Sequence, residues 1–217
     1  MDYTIFILAI IVIILIYVLY VYFVQKSTTL TTTASLKSVN PTITTMVNPQ
    51  STRYAYGLWV YINTWDTTTE KTIFLRANNI KVYLDATKPS LYCKIEPNPA
   101  FMITDNFPVQ KWVYLVISVD NQFIDAYLDG KLVNSTKVVQ FPVAPGTAAA
   151  QPVVLGSGFD AFVAGFKNWG SPLGPQDVWN NYMSGNGGSV FSRFFSSYSA
   201  NVSVLKDNVE QSKFNLF

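Results

Sequence analysis

The chain is 217 residues long, 49% hydrophobic and only 13% charged, with Lys+Arg 15 against Asp+Glu 13. So even a balance, with no basic run, excludes the clustered Lys/Arg that nucleic-acid binding uses to displace phosphate counterions, and no nucleic-acid partner is expected. Histidine is absent and Cys93 is the only cysteine. Imidazole bases, Ser-His-Asp and Cys-His nucleophiles, His-ligated metals, internal disulfides and Cys-cluster zinc sites are thereby removed.

The apolar bias comes from one place. Ile5 to Val24 is an uninterrupted run of 20 apolar or aromatic residues. As a helix it would be roughly 30 Å long, the thickness of a bilayer's hydrocarbon core. A cleaved secretory signal would show a basic start, a shorter apolar stretch and a small-residue cleavage site. Here the chain begins Met-Asp and the run ends Val24-Gln25-Lys26. Residues 1–26 are therefore expected to be a single uncleaved transmembrane anchor, with the lipid bilayer as a partner. Tyr17, Tyr20 and Tyr22 cluster toward its C-terminal end, where aromatic rings suit the interface. Asp2 precedes the run, and Lys26 and Lys37 follow it. The positive-inside rule then puts the C-terminal side in the cytoplasm, and a lone cysteine fits a reducing compartment. Two glycosylation sequons, Asn134-Ser135-Thr136 and Asn201-Val202-Ser203, occur; such triplets are common by chance.

Residues 27–52 hold 13 Ser or Thr, with Pro41 and Pro49 and no acidic side chain. So little apolar content predicts an extended tether between anchor and domain. The alternatives are an O-glycosylated stalk or a segment lying ordered along a partner.

From Tyr54 the pattern has a period of two. Tyr54–Ile62 is apolar on both faces, which predicts a central strand covered on both sides. Further strands are expected at Thr72–Ala77, Ile80–Leu84, Leu91–Ile95, Trp112–Val119, Phe123–Leu128, Lys131–Val139 and Ala161–Asn168. Asp120-Asn121 reads as a turn, and Asp129-Gly130 as a two-residue type I′ hairpin loop. One helix, Pro175–Met183, opens on a proline suited to a first turn and ends before Gly185. The expected fold class is all-β, an antiparallel β-sandwich jelly roll with one short helix, preceded by a transmembrane helix.

Three segments together resemble a laminin-G-like domain of the concanavalin A-like lectin/glucanase superfamily. They are YAYGLWVYINTW (54–65), KWVYLVISVDNQFIDAYLDGKLV (111–133) and AGFKNWGSPLGPQDVWNNYMSG (164–185). The expected domain is 53–217. Its extension, 186–217, is similar to the ending of laminin-G-like virion proteins of large double-stranded DNA viruses, where a final strand pair contains VLKDN. That resemblance implies a minor capsid role, with an internal membrane linked to a capsid shell and other virion proteins as partners. The alternative it leaves is a carbohydrate-binding adhesion lectin.

The glucanase branch of the superfamily implies paired carboxylates, since glycoside hydrolysis needs two placed carboxyl groups roughly 5–10 Å apart. Glu70, Glu96 and Glu210 have no carboxylate close by on a strand, and Asp120, Asp125 and Asp129 read as turn and edge charges. No hydrolase activity and no cofactor are expected. A lectin would use a rim calcium or an aromatic platform. Trp65 and Trp169, at strand ends, are the platform candidates, with Trp179, Asp66 and Asp160 behind them. Calcium wants several convergent oxygens, and no acidic cluster occurs. Trp59 and Trp112 are expected in the core, and Cys93 is expected to be a buried inert thiol. Phe191, Phe194, Phe195 and Tyr198 fall at helical spacing and form a stripe that packs on the sandwich or docks on a neighbouring subunit.

Overall fold

The structure is a computed structural model that describes residues 3–24, 27–186, 201–206 and 209–215. Helix α1 (Tyr3–Val24) covers the apolar run Ile5–Val24. Its described side chains, those of residues 7, 8 and 10–19, are all exposed. Those residues are fewer than a span needs, and among the described residues no helix is long and apolar enough to cross a membrane.

Two antiparallel sheets pack face to face. The first contains β1 (Ser27–Ser35), β2 (Arg53–Ile62), β7 (Trp112–Asp120), β8 (Phe123–Leu128), β9 (Lys131–Lys137) and β11 (Ala161–Trp169), in the order β1-β11-β2-β7-β8-β9. The second contains β3 (Lys71–Arg76), β4 (Ile80–Leu84), β5 (Leu91–Ile95), β6 (Phe101–Thr104) and β10 (Val153–Leu155), in the order β10-β3-β4-β5-β6. Helix α2 (Pro175–Met183) carries its proline in the first turn, as expected. β12 (Asn201–Lys206) and β13 (Val209–Asn215) pair antiparallel with each other, the strand pair expected in the extension. The stripe Phe191, Phe194, Phe195 and Tyr198 lies outside the described residues.

Alternation in β2 does what its sequence requires. Tyr54, Tyr56, Leu58, Val60 and Ile62 point into the core between the sheets. Ala55 belongs to a second, smaller cluster on the outer face, and Trp59 packs against it. That cluster, with Tyr114, Val116 and Tyr127 of the neighbouring strands, is closed by Trp169, Leu173 and Val178. The strand is thus covered on both faces, and burial of both apolar sets stabilises it at roughly 25 cal/mol per Å². The hairpin between β8 and β9 turns through Asp129 (φ 47°) and Gly130 (φ 80°), the paired positive φ of a type I′ turn.

The tether expectation is corrected. Residues 27–35 form β1, an edge strand paired with β11 from Ser27↔Trp169 to Ser35↔Phe162. Leu36 is fully buried, and Ile43 and Met46 pack against the main core. Ile43 and Val153 exchange backbone hydrogen bonds of 2.8 and 3.0 Å. The β-branched threonines that resist a helix suit an extended edge strand, and backbone pairing makes up for the sparse apolar content. The sandwich therefore starts at Ser27 and not at residue 53.

Cys93 lies in the core of β5, fully buried. Burial pushes its thiol up, away from the reactive thiolate. In the native chain Cys93 is expected to react with a thiol reagent only as fast as the domain unfolds. Rapid labelling in native buffer, measured by mass, would contradict its placement.

Candidate functional site

A bulge in β11 builds the site. Ala164 faces Trp59 and Lys167 faces Gly57, so β11 spends three steps where β2 spends two. Gly165, with φ 56°, absorbs the extra residue in a conformation that suits glycine. The bulge sends Phe166 into the main core and leaves Lys167 half-buried. Gly57 opposite is needed for space. A Cβ there would come within 2.9 Å of both the Trp169 ring and the Tyr114 hydroxyl.

Helix α2 forms the other wall. Val178 anchors it, fully buried, and Tyr182 stacks on Trp59 with centroids 5.6 Å apart and planes at 23°. Trp59 also leans on Tyr114, 5.2 Å away. Between α2 and the sheet run two adjoining cavities, of about 590 and 230 Å³, that share Lys167, Asn181 and Ser184. The larger is bordered by Trp169, Asp177 and Asn180 and the smaller by Trp59 and Tyr114. Asn181 and Asn180 are oriented from within the helix. Asn181 Nδ2 donates to Asp177 O at 2.8 Å, and Gln176 Nε2 donates to Asn180 Oδ1 at 3.1 Å. Lys167 has no ion-pair partner among the described residues. Burial pushes the Tyr114 hydroxyl up, so it stays protonated and able to donate. The groove thus combines aromatic surface with two amides, one carboxylate, one phenol and one ammonium, a mixture suited to a polar ligand with some apolar surface.

The expected platforms are placed differently. Trp169 is only 6% exposed, because its ring fills the space over Gly57 and closes the outer cluster. It gives the groove an edge, not an open face. Trp65 is half-buried and lies over the buried ammonium of Lys71, 4.5 Å from the ring centroid. That ammonium also meets Asp66 Oδ1 at 3.3 Å and Thr69 O at 2.8 Å. Trp65 is a cover for a buried cation, remote in role from the groove. Thr68, through its hydroxyl and backbone N–H, and then Lys71 hold the Asp66 carboxyl down to about 2. Trp179 is 41% exposed and rests on the hairpin at Gly130. The core expectation for Trp59 and Trp112 is corrected: both are half-buried on the outer face. β2 and β7 are apolar on both faces, so alternation alone cannot say which face is inside.

The carboxylates serve structure. Asp120 pairs with Arg53 at 2.7 Å, and Asp125 accepts from Ser135 Oγ at 2.6 Å. Asp129 accepts from Lys111 Nζ at 3.0 Å and from the Tyr114 N–H at 2.9 Å. Asp160 meets Lys37 at 3.1 Å and Asn63 at 2.7 Å. Among the described residues no group of three or more His, Cys, Asp or Glu side chains is placed to hold a metal ion. Asn134 Nδ2, the acceptor of the first sequon, donates to Met102 O at 2.8 Å.

The profile of a laminin-G type family, described as the concanavalin A-like lectin/glucanases superfamily, matches residues 32–184. The chain belongs to this superfamily. The match begins inside β1, in accord with the sandwich starting before residue 53. Among solved structures, the botulinum neurotoxin serotype D ligand-binding domain, in complex with N-acetylneuraminic acid, is 14% identical with a TM-score of 0.56. That alignment covers 73% of this chain and 43% of the toxin domain. Trypanosoma rangeli sialidase is 13% identical, with a TM-score of 0.50 over 61% of this chain and 22% of that one. Domain 4 of an extracellular arabinanase from Geobacillus stearothermophilus, in complex with arabinotriose, is 22% identical, with a TM-score of 0.47 over 60% and 66% of the two chains. The chain therefore spans less than half of the toxin domain it aligns with, and the likeness is one of fold. No curated protein matches the sequence.

Of the expected platform residues only Trp169 borders the groove. Lys167, Asn180, Asn181 and Tyr182 lie within the third resembling segment, 164–185, but none is marked there as a binding residue. The signal that points to them is Gly165, an isolated glycine inside a strand pattern, which marks a bulge or a close approach.

Proposed function

We propose that this chain is a non-catalytic carbohydrate-binding domain carried on a membrane by α1, and that the α2–β11 groove is its binding surface. The observation that carries the reading is Lys167. It is a half-buried ammonium without an ion-pair partner among the described residues, set between the Trp59–Tyr114 aromatic floor and Asn181. The half-buried Trp59 offers a ring edge to the apolar side of a sugar, the amides of Asn180 and Asn181 take its hydroxyls and the ammonium takes a carboxylate. The fold family and the toxin domain in complex with N-acetylneuraminic acid are in keeping with this. The groove's lining holds a single carboxylate, Asp177, where hydrolysis would need two. For the membrane, the support is the run Ile5–Val24, apolar all round in a helix whose described side chains are uncovered. The virion-scaffold expectation draws no support from the matched family or from the structures compared with it.

The full chain in detergent micelles is to be titrated with N-acetylneuraminic acid and with arabinotriose by isothermal calorimetry. Binding is expected to weaken in Lys167→Ala by roughly tenfold or more for the acidic sugar, the loss of one charge-assisted hydrogen bond, with little change for the neutral one. Equal affinity of Lys167→Ala and the parent chain for both sugars would overturn the assignment of the groove.

A further inference from the structure

We propose that the loop 138–143 is a second membrane contact, an apolar finger that enters the lipid surface beside the anchor; this rests on the membrane reading above. Val139 is 86% exposed and Phe141 69%. Neither is loosely held. Gln140, between them, is clamped at both backbone groups by the buried Asn98. Asn98 Nδ2 donates to Gln140 O at 2.9 Å, and the Gln140 N–H donates to Asn98 Oδ1 at 2.8 Å. Gln122 Nε2 donates to the carbonyls of Val138 and Val139 at 3.3 and 2.9 Å. The Val143 N–H donates to Glu96 O at 3.1 Å. Val138 plugs into the main core. A backbone fixed this firmly, holding two large apolar side chains in water, is the mark of a contact surface and not of a slack loop.

The register of the sheet says what the surface meets. Ser27 pairs with Trp169, Trp169 with Ala55, Arg53 with Asp120, Asp120 with Phe123 and Phe123 with Lys137. Ser27 and Lys137 are therefore at the same end of the six-stranded sheet, on its two edges, five strand spacings or roughly 24 Å apart. Only Gln25 and Lys26 separate Ser27 from Val24, the last residue of α1, a reach of about 10 Å. The end that carries the finger is the end joined to the apolar helix. Phe123, 56% exposed with Lys137 Nζ 5.6 Å over its ring, adds an aromatic ring and a cation at the finger's base. Both suit the headgroup layer. Once the chain is anchored, the finger's local concentration at the lipid is high, so even a weak contact is occupied.

The test uses the full chain with Val139→Cys, labelled with the environment-sensitive fluorophore NBD. It is reconstituted in phosphatidylcholine/phosphatidylserine vesicles, with or without bromine on the acyl chains. The buried Cys93 leaves one site for the label. Lys131→Cys, at the opposite end of β9, is the control. At 139 the emission is expected to shift to the blue and to lose intensity in brominated vesicles, and at 131 to do neither. A blue shift without quenching would mean that protein covers the finger, either a second copy or the chain beyond residue 186, and would overturn the proposal. So would an unshifted, water-like emission. Flotation of the same vesicles separates the two failures. Chains that do not float overturn the membrane reading and the finger with it; chains that float with an unquenched label overturn the finger alone.

Discussion

Gly156→Ala is expected to destabilise the domain by at least about 3 kcal/mol, at the upper end of what overpacking costs, and to halve or abolish the yield of folded chain. Gly156 follows β10 directly, and its N–H donates to Ile73 O at 2.9 Å. A Cβ at this position would collide with the backbone carbonyl of Thr72. A side chain could swing aside, but the carbonyl belongs to the β10–β3–β4 ladder and cannot move without breaking it. Gly174→Ser is the matched control. Nothing lies within 4 Å of its added Cβ, and Gly174 is the N-cap of α2 without a side-chain cap hydrogen bond. Serine caps helices well, so this variant is expected to melt at or slightly above the parent temperature. A Gly156→Ala chain that melts within a degree of the parent would show that β10 does not sit where the register puts it.

Arg76→Ala is expected to cost about 3–5 kcal/mol, in line with breaking a buried charged network, and to lower the melting temperature by about 6–20 °C for a chain of this size. Arg76 is 3% exposed and, among the described residues, pairs with no carboxylate; three backbone carbonyls hold it instead. Its guanidinium donates to Pro49 O at 2.7 Å, Gly146 O at 2.8 Å and Gln151 O at 2.9 Å. One side chain thus ties three segments to β3: the 46–52 stretch, the long loop after β9 and the approach to β10. Removing it takes the donor from three part-buried carbonyls and leaves a cavity at a side chain that is itself buried. Arg76→Lys is expected to recover only part of the loss, because a single ammonium cannot span the three carbonyls as a planar fork does. A chemical-denaturation midpoint for Arg76→Ala equal to the parent's would contradict this role.

Much of the sandwich could be read from residue pattern alone. The two-sided apolar run of β2, the Asp129-Gly130 turn and the proline that opens α2 each reflect a local rule that the tertiary fold does not override. What stayed hidden depends on partners far away in sequence. β1 is a strand because the edge of β11, more than a hundred residues on, offers it a ladder; its own composition reads as a tether. Trp59 lies outside the core because α2 arrives to cover it, and its strand carries no mark of which apolar face is inner. Lys167 joins the groove only because Gly165 lets the strand slip by one residue, and Gly57 leaves room opposite. A glycine in a strand announces a bulge, yet it does not tell which side chain the bulge will turn outward. Trp65 and Trp169, chosen for their places at strand ends, were claimed by packing: one by a buried lysine, the other by a glycine-shaped gap.

The most direct test of the groove is the set of tryptophan indole N–H signals. The chain has 5 tryptophans: Trp59 and Trp169 border the groove, while Trp65, Trp112 and Trp179 do not line it. The ¹H–¹⁵N spectrum of the full chain in micelles, titrated with N-acetylneuraminic acid, reads all of them at once. The Trp59 signal is expected to move most, followed by Trp169, with Trp65 and Trp112 unmoved. A spectrum in which only Trp65 or Trp112 moves, or in which none moves at saturating sugar, would contradict the groove as the site of carbohydrate binding.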